Sequence, residues 1–204
     1  MGLCNKFILA LCTMFAIFNS SFSIIAPFLP AELEKKNVSS SLNGLIFSAY
    51  SMASLLCSPL VGMVLERTGR RRMLTIGLVC MVLANLAFAL SYFVQDTLMF
   101  TICMFGLRII QGMGGSAIQV SSYSLVSSVY SDHLEQMLAF LESSAGVGLT
   151  IGPVLGSALY SLGGFMTPFY FYAVFFLVFI PVIRKLMPSE KVKQQKEIKK
   201  KEDE

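Results

Sequence analysis

The stretch that decides the fold reads Gly62-Met63-Val64-Leu65-Glu66-Arg67-Thr68-Gly69-Arg70-Arg71-Arg72. It joins two apolar segments, residues 43–65 and 73–94. Each segment is long enough to cross a bilayer as a helix, because about 20 apolar residues span the ~30 Å hydrocarbon core. A short loop loaded with arginine stays on the cytoplasmic side. The sequence therefore predicts a membrane protein whose orientation follows from its charges.

Composition supports lipid as the solvent. The chain is 55% apolar and only 14% charged, whereas soluble domains carry about a quarter charged residues. We therefore predict an all-α membrane protein with six transmembrane helices. The spans are residues 7–29, 43–65, 73–94, 98–120, 137–160 and 169–183, the last extending as far as 186.

Basic residues are divided unequally between the two sides of the predicted membrane. One side holds Lys6, the four arginines of the loop and the basic residues from Arg184 to the chain end, whereas the other holds Lys35 and Lys36. This asymmetry places both termini in the cytoplasm. Residues 1–186 form the predicted transmembrane domain, and residues 187–204 form a basic cytoplasmic tail that looks like the start of a central linker. Its interleaved Lys, Glu and Gln favour a solvated segment over a nucleic-acid-binding one.

The chain contains a repeat. Ser58-Pro59-Leu60-Val61-Gly62 returns ninety-four residues later as Gly152-Pro153-Val154-Leu155-Gly156. The second and fifth spans are three apart, so the two copies run in opposite directions through the membrane. This indicates a 3+3 inverted repeat, as in one half of many secondary transporters.

Small residues recur every fourth position in the fifth span, at Gly148, Gly152 and Gly156. Such spacing forms a flat stripe on which another helix packs closely. Pro153 removes a backbone donor and permits a bend. We predict a closely packed helix that can bend.

Three motifs resemble the major facilitator superfamily of secondary transporters. They are the loop with Gly62, Glu66, Arg67, Gly69, Arg70 and Arg71, the fourth-span stretch from Arg108 to Gly115, and the fifth-span stretch from Gly148 to Gly156. The resemblance implies one six-helix half of that fold. It also implies that the loop charges form a latch that tunes the conformational equilibrium.

Within the superfamily, the chain looks most like the vesicular amine and polyamine transporters, through Ala26-Pro27-Phe28-Leu29-Pro30 and Leu141-Glu142. Monoamine members carry an aspartate nine residues before the proline that matches Pro27. Here that position is Phe18, followed by Asn19. The resemblance therefore implies a polyamine or another small organic cation, exchanged for protons, instead of a monoamine.

Two charges lie inside predicted spans. Arg108 is about ten residues into the fourth span, roughly 15 Å deep, so it should face the protein interior or a hydrated cavity and find a partner. Gln111 shares its helical face, as does Gln119. Glu142 lies closer to the cytoplasm, and a carboxylate there can hold a cation or exchange a proton. The two charges either carry transport or tether two helices, and Asn19 is a weaker candidate.

A transporter of this superfamily needs about twelve helices, so the resemblance implies a missing second half or another subunit. The alternative is a truncated membrane protein that does not transport and associates with full-length relatives. The sequence has no nucleophile–base–acid set, phosphate loop or metal-ligand cluster, so we predict no enzyme activity, metal or cofactor. The expected partners are the lipid bilayer, a small organic cation and protons, and the expected location is a vesicular or plasma membrane.

Overall fold

A computed structural model describes residues 2–36 and 38–186, and within them the fold is entirely helical. Six helices are long and apolar enough to cross a membrane, which confirms the six predicted spans. The predicted tail, residues 187–204, lies outside the described residues. The helices are α1 (Gly2–Ser23), α2 (Leu29–Lys35), α3 (Ser40–Thr68), α4 (Arg70–Leu90), α5 (Thr97–Val129), α6 (Leu134–Gly163) and α7 (Met166–Leu186).

The first span ends earlier than predicted. The sequence suggested one helix over residues 7–29, but α1 ends at Ser23 and the short α2 begins at Leu29. Pro27 explains the break, because the residue before a proline is disfavoured in the helical region. Pro30 then lies in the first turn of α2, where its missing N–H is not needed.

The arginine-rich loop is shorter than predicted. Helix α3 continues to Thr68 and α4 begins at Arg70, so Gly69 alone connects them. Its φ angle of 86° lies in a region that favours glycine. Glu66 and Arg67 therefore belong to the last turn of α3, and the three following arginines form the first turn of α4.

Helix packing agrees with the inverted repeat. If α1, α3 and α4 correspond to α5, α6 and α7, then the pairs α1–α6 and α3–α5 are equivalent, and both pack extensively. Helix α4 also packs along α5 and α7. Small residues allow close approach here too, since a Cβ added at Gly77 of α4 would lie 2.9 Å from the carbonyl oxygen of Gly114 on α5.

Aromatic side chains fill the end of the bundle near the α6–α7 turn. Phe169 stacks on Phe88 with ring centroids 5.1 Å apart, and Phe165 lies 5.1 Å from Phe169. Long aliphatic side chains on the outside remain exposed, such as Leu83 of α4 at 60%. An apolar exterior around a buried core is what a lipid solvent requires.

Candidate functional site

A cavity of about 510 Å³ opens between α1, α3, α5 and α6. Its lining combines aromatic rings with amides and hydroxyls: Phe18, Asn19, Phe22, Tyr50, Ser51, Ser54, Leu55, Ser58, Gln119, Val120, Tyr123 and Leu149. In a bilayer, polar groups are kept for a protein interior or a hydrated pathway. This cavity is therefore the candidate substrate site.

Helix α1 contributes Asn19 to the cavity wall. Its side-chain Nδ2 donates to the carbonyl oxygen of Phe15 at 2.8 Å, one helical turn earlier. Phe18 lies beside it in the lining. The α1 side of the cavity thus offers an amide and aromatic rings, and no charge.

A polar chain links α5 to α6 at the cavity. Gln119 Nε2 donates to the hydroxyl of Tyr123 at 3.4 Å, and that hydroxyl donates to Glu142 Oε1. Glu142 is exposed on the six-helix unit. Sequence reasoning named Gln119 and Glu142 but missed Tyr123, although Tyr123 lies four residues after Gln119 and therefore on the same face of α5.

Arg108 is fully buried, as predicted for a charge inside a span. Its Nη1 donates to Gln111 Oε1 at 2.9 Å, as their predicted position on one face of the helix allows. The guanidinium carbon lies 5.4–5.8 Å from the centres of four aromatic rings, those of Phe22, Phe47, Tyr50 and Phe88. Within the described residues, its Nε and Nη2 have no hydrogen-bond partner.

Arg108 and Glu142 do not pair. In the described part of the chain, the only ion pair joins Lys35 to Glu32. Phe22 and Tyr50, which contact Arg108, also line the cavity. The two intramembrane charges are thus divided, with Arg108 enclosed behind the aromatic wall and Glu142 held by Tyr123.

The predicted switch residues surround a second cavity, of about 370 Å³, at the α3–α4 turn. Its lining includes Gly62, Glu66, Gly69 and Arg70. Arg70 Nε donates to Ser124 Oγ of α5 at 2.8 Å. Arg71 instead donates to the carbonyl oxygen of Arg184 at the end of α7, and Arg67 is exposed. Two arginines of the motif therefore join α4 to α5 and α7.

The predicted glycine stripe of α6 packs against α1. A Cβ added at Gly148 would overlap the backbone of Ala16, and one added at Gly156 would overlap the carbonyl oxygen of Ile24. At Gly152 an added Cβ would meet Ser23. Pro153 lies inside α6 without ending it.

Comparison with known proteins agrees with this architecture. A family model described as Major Facilitator Superfamily matches residues 9–203. The chain belongs to the major facilitator superfamily. This is a family of transporters, so the prediction that the chain is not an enzyme is confirmed.

Relatives within the superfamily include amine carriers. The chain is 30% identical to the MFS-type transporter SLC18B1 of Mus musculus over 169 residues, which are 83% of this chain and 37% of that protein. It is 31% identical to the chromaffin granule amine transporter of Rattus norvegicus over 139 residues, 67% of this chain and 25% of that protein. It is 25% identical to multidrug resistance protein 2 of Bacillus subtilis over 173 residues, 84% of this chain and 41% of that protein. The chain thus spans well under half the length of these relatives.

Proposed function

We propose that this chain supplies the cation-binding half of a secondary transporter that exchanges small organic cations, polyamines among them, for protons. The observation that carries the proposal is the cavity whose Tyr123 hydroxyl holds the Glu142 carboxylate. The similarity to an amine transporter supports the same substrate class.

The side chains that line the cavity are suited to binding a cation. Aromatic faces attract ammonium groups, and Asn19 and Gln119 provide side-chain amide groups for hydrogen bonds. Glu142 supplies the negative charge. An entering amine replaces the Tyr123 hydroxyl on that carboxylate, and protonation of Glu142 removes the charge and releases the amine.

Arg108 acts at a distance in this proposal. It lies behind Phe22 and Tyr50, so it does not position the carboxylate by direct contact. It holds the aromatic wall in place and keeps a positive potential behind it, which favours release of the amine. Gln111 fixes the guanidinium orientation through the bond to Nη1.

Alternating access needs an opposing wall, because substrate sites of this kind lie between two repeats that rock against each other. We therefore expect no transport by a monomer of this chain, and we assign the second wall to another six-helix half or subunit. In this scheme both termini are cytoplasmic, the membrane is vesicular or plasma membrane, and the residues from Gly62 to Arg71 latch the two halves.

Transport measurements test the assignment. The chain is reconstituted into proteoliposomes together with a complementary six-helix half. A pH gradient is imposed across the membrane, and uptake of labelled spermidine is followed. Glu142→Gln should lower uptake about 100-fold or more, since general acid–base groups contribute factors of this order. Glu135→Gln, an exposed acid in the first turn of the same helix, is the matched control.

Uptake by Glu142→Gln with an unchanged pH dependence would show that Glu142 is only a tether. Arg108→Lys should give an intermediate loss, because it keeps the charge but not the planar donor geometry. If no assembly transports spermidine, while the chain co-purifies with a full-length relative and lowers its activity, the non-transporting alternative replaces this proposal.

A further inference from the structure

Two helix ends at the same end of the bundle bring basic residues together. Arg71 and Arg72 lie in the first turn of α4, and Arg184 and Lys185 lie in the last turn of α7. Arg71 Nη2 donates to the carbonyl oxygen of Arg184 and so joins the two ends. These four residues are called the basic helix-end cluster. We infer that it binds the headgroup of an anionic phospholipid.

Among residues 2–36 and 38–186, no acid pairs with the positive charge of the cluster. Neither the first turn of α4 nor the last turn of α7 contains an acid. None of the four residues forms an ion pair with any other described residue. Arg72, Arg184 and Lys185 are exposed, and Arg71 is half-buried. Three cationic side chains are therefore free to meet an anion from outside.

The α4 arginines also have an unfavourable place on their own helix. The N-terminus of a helix carries partial positive charge, which favours acids and disfavours bases. Arg70, Arg71 and Arg72 all occupy this first turn. Arg70 is held by Ser124, whereas the side chain of Arg72 extends outward. No acidic residue in the described part of the chain offsets the repulsion between these arginines and the helix N-terminus, so an external anion would stabilise them.

The position of the basic helix-end cluster in the membrane favours a lipid over a soluble anion as its ligand. The cluster lies at the ends of two helices long and apolar enough to cross a membrane, Arg70–Phe93 and Met166–Leu186, and therefore at headgroup depth. The same two helices expose aliphatic side chains beyond it, including Ile76, Val79, Val178 and Val182. These surfaces accommodate acyl chains, and guanidinium groups bind phosphate in a bidentate manner.

Native mass spectrometry of the purified chain in neutral detergent tests the inference. The protein is titrated with phosphatidylserine or with phosphatidylcholine, and the bound lipids are counted. Phosphatidylserine should bind more tightly. The double variant Arg72→Gln/Lys185→Gln should bind it about 25-fold more weakly, at about a fivefold factor for each cation near an anionic headgroup. Its phosphatidylcholine binding should not change.

The control Lys6→Gln/Lys35→Gln removes the same charge at two exposed sites elsewhere, Lys35 together with its surface ion pair to Glu32, and should bind phosphatidylserine like the parent protein. A second variant, Arg72→Lys/Lys185→Arg, keeps the charge and should retain binding, which separates loss of the site from misfolding.

If both double glutamine variants bind phosphatidylserine equally weakly, the loss of binding is explained by net charge alone and the inference is overturned. Unchanged binding in Arg72→Gln/Lys185→Gln would place the lipid elsewhere and overturn it as well. Displacement of the lipid by excess inorganic phosphate would indicate a soluble-anion site instead.

Discussion

The α1–α6 and α3–α5 crossings are equivalent in the inverted repeat, yet they achieve close packing differently. At the first crossing the glycines lie on α6, where Gly148 and Gly152 closely approach the α1 backbone. At the second the glycine lies on α5, where a Cβ added at Gly112 would overlap the carbonyl oxygen of Tyr50 on α3. Close approach is thus maintained at both crossings, but opposite partners supply the small residue.

The two crossings also differ in charge. Around α1–α6 the buried polar groups are hydroxyls, such as Ser20, which hydrogen-bonds to Tyr172 of α7. Around α3–α5 the buried Arg108 lies one turn before Gly112 on α5. One crossing is specialised for packing, whereas the other buries a charge beside the cavity. Equivalent crossings therefore share close packing without sharing a buried charge.

The largest effect is expected at the α1–α6 crossing. Gly148→Ala places a methyl group in the backbone of Ala16, which cannot move without shifting α1. We expect the free energy of unfolding to fall by about 3 kcal/mol, measured by denaturant titration in detergent. Gly146→Ala on the same helix meets open space and should raise stability by about 0.5 kcal/mol. Equal stability of the two variants would rule out the close approach of α1 and α6.

A smaller loss is expected at the α3–α5 crossing. Gly112→Ala should cost about 2 kcal/mol, since Tyr50 and Ala53 must move apart from α5. Gly106→Ala, also on α5 but with no neighbour within 4 Å, serves as the control. If Gly112→Ala matches this control, the equivalence of the two crossings fails.

Charge at the α3–α5 crossing gives the third prediction. Gln111→Leu removes the hydrogen-bond partner of Arg108 and should lower stability by about 1.5 kcal/mol. Arg108→Met/Gln111→Leu removes the buried charge together with its partner and should raise stability by about 1 kcal/mol, as replacement of buried ionic groups often does. Thermal unfolding of the single and the double variant checks the opposite signs. A large loss in the double variant would mean that Arg108 stabilises the fold.

The smallest effect concerns the loop end of the α1–α6 crossing. Glu32 of α2 accepts hydrogen bonds from Lys35 Nζ, at 2.8 Å, and from the Tyr160 hydroxyl of α6. Burial tends to raise the pKa of Glu32, but these hydrogen bonds and the charges of Lys35 and Lys36 hold the pKa below its usual value. The resulting stability is complete above about pH 4.3, the ordinary glutamate pKa. It is lost as the pH falls through the lower folded-state pKa.

Unfolding temperatures of the parent protein and of Glu32→Gln, recorded from pH 7 to pH 3, test this link. The difference in the free energy of unfolding between the two proteins should stay below about 1 kcal/mol and vanish in acid. Glu34→Gln, an exposed neighbour on α2, is the matched control and should unfold like the parent protein at pH 7. A difference that persists at pH 3 would contradict the assigned role.

Much of the fold followed from hydrophobicity and small residues. The sequence predicted the six spans, the inverted repeat and the glycine stripe of α6. These features depend on the length of apolar segments and on the spacing of glycines, which are local properties of the chain. The break after Ser23 and the one-residue turn at Gly69 were missed, since helix ends depend on a few backbone angles that composition does not fix.

The candidate site was predicted less completely. Burial of Arg108 followed from the cost of charge in lipid, and its place on one helical face with Gln111 followed from helical spacing. Sequence could not decide whether Arg108 pairs with Glu142, because the distance between α5 and α6 side chains depends on how two helices rotate about their axes. Tyr123 was missed for a related reason, since its contact with Glu142 crosses helices.

By itself, the sequence determined that the chain lies in a lipid bilayer, how many spans it has, which end of the bundle carries the arginines and to which superfamily it belongs. These are properties of local composition and of motifs that act over one or two helical turns. Only the tertiary structure decided that Arg108 is enclosed by rings, that Tyr123 holds Glu142 and that Arg71 joins α4 to α7. Such contacts link residues far apart in the chain, and helix packing alone brings them together.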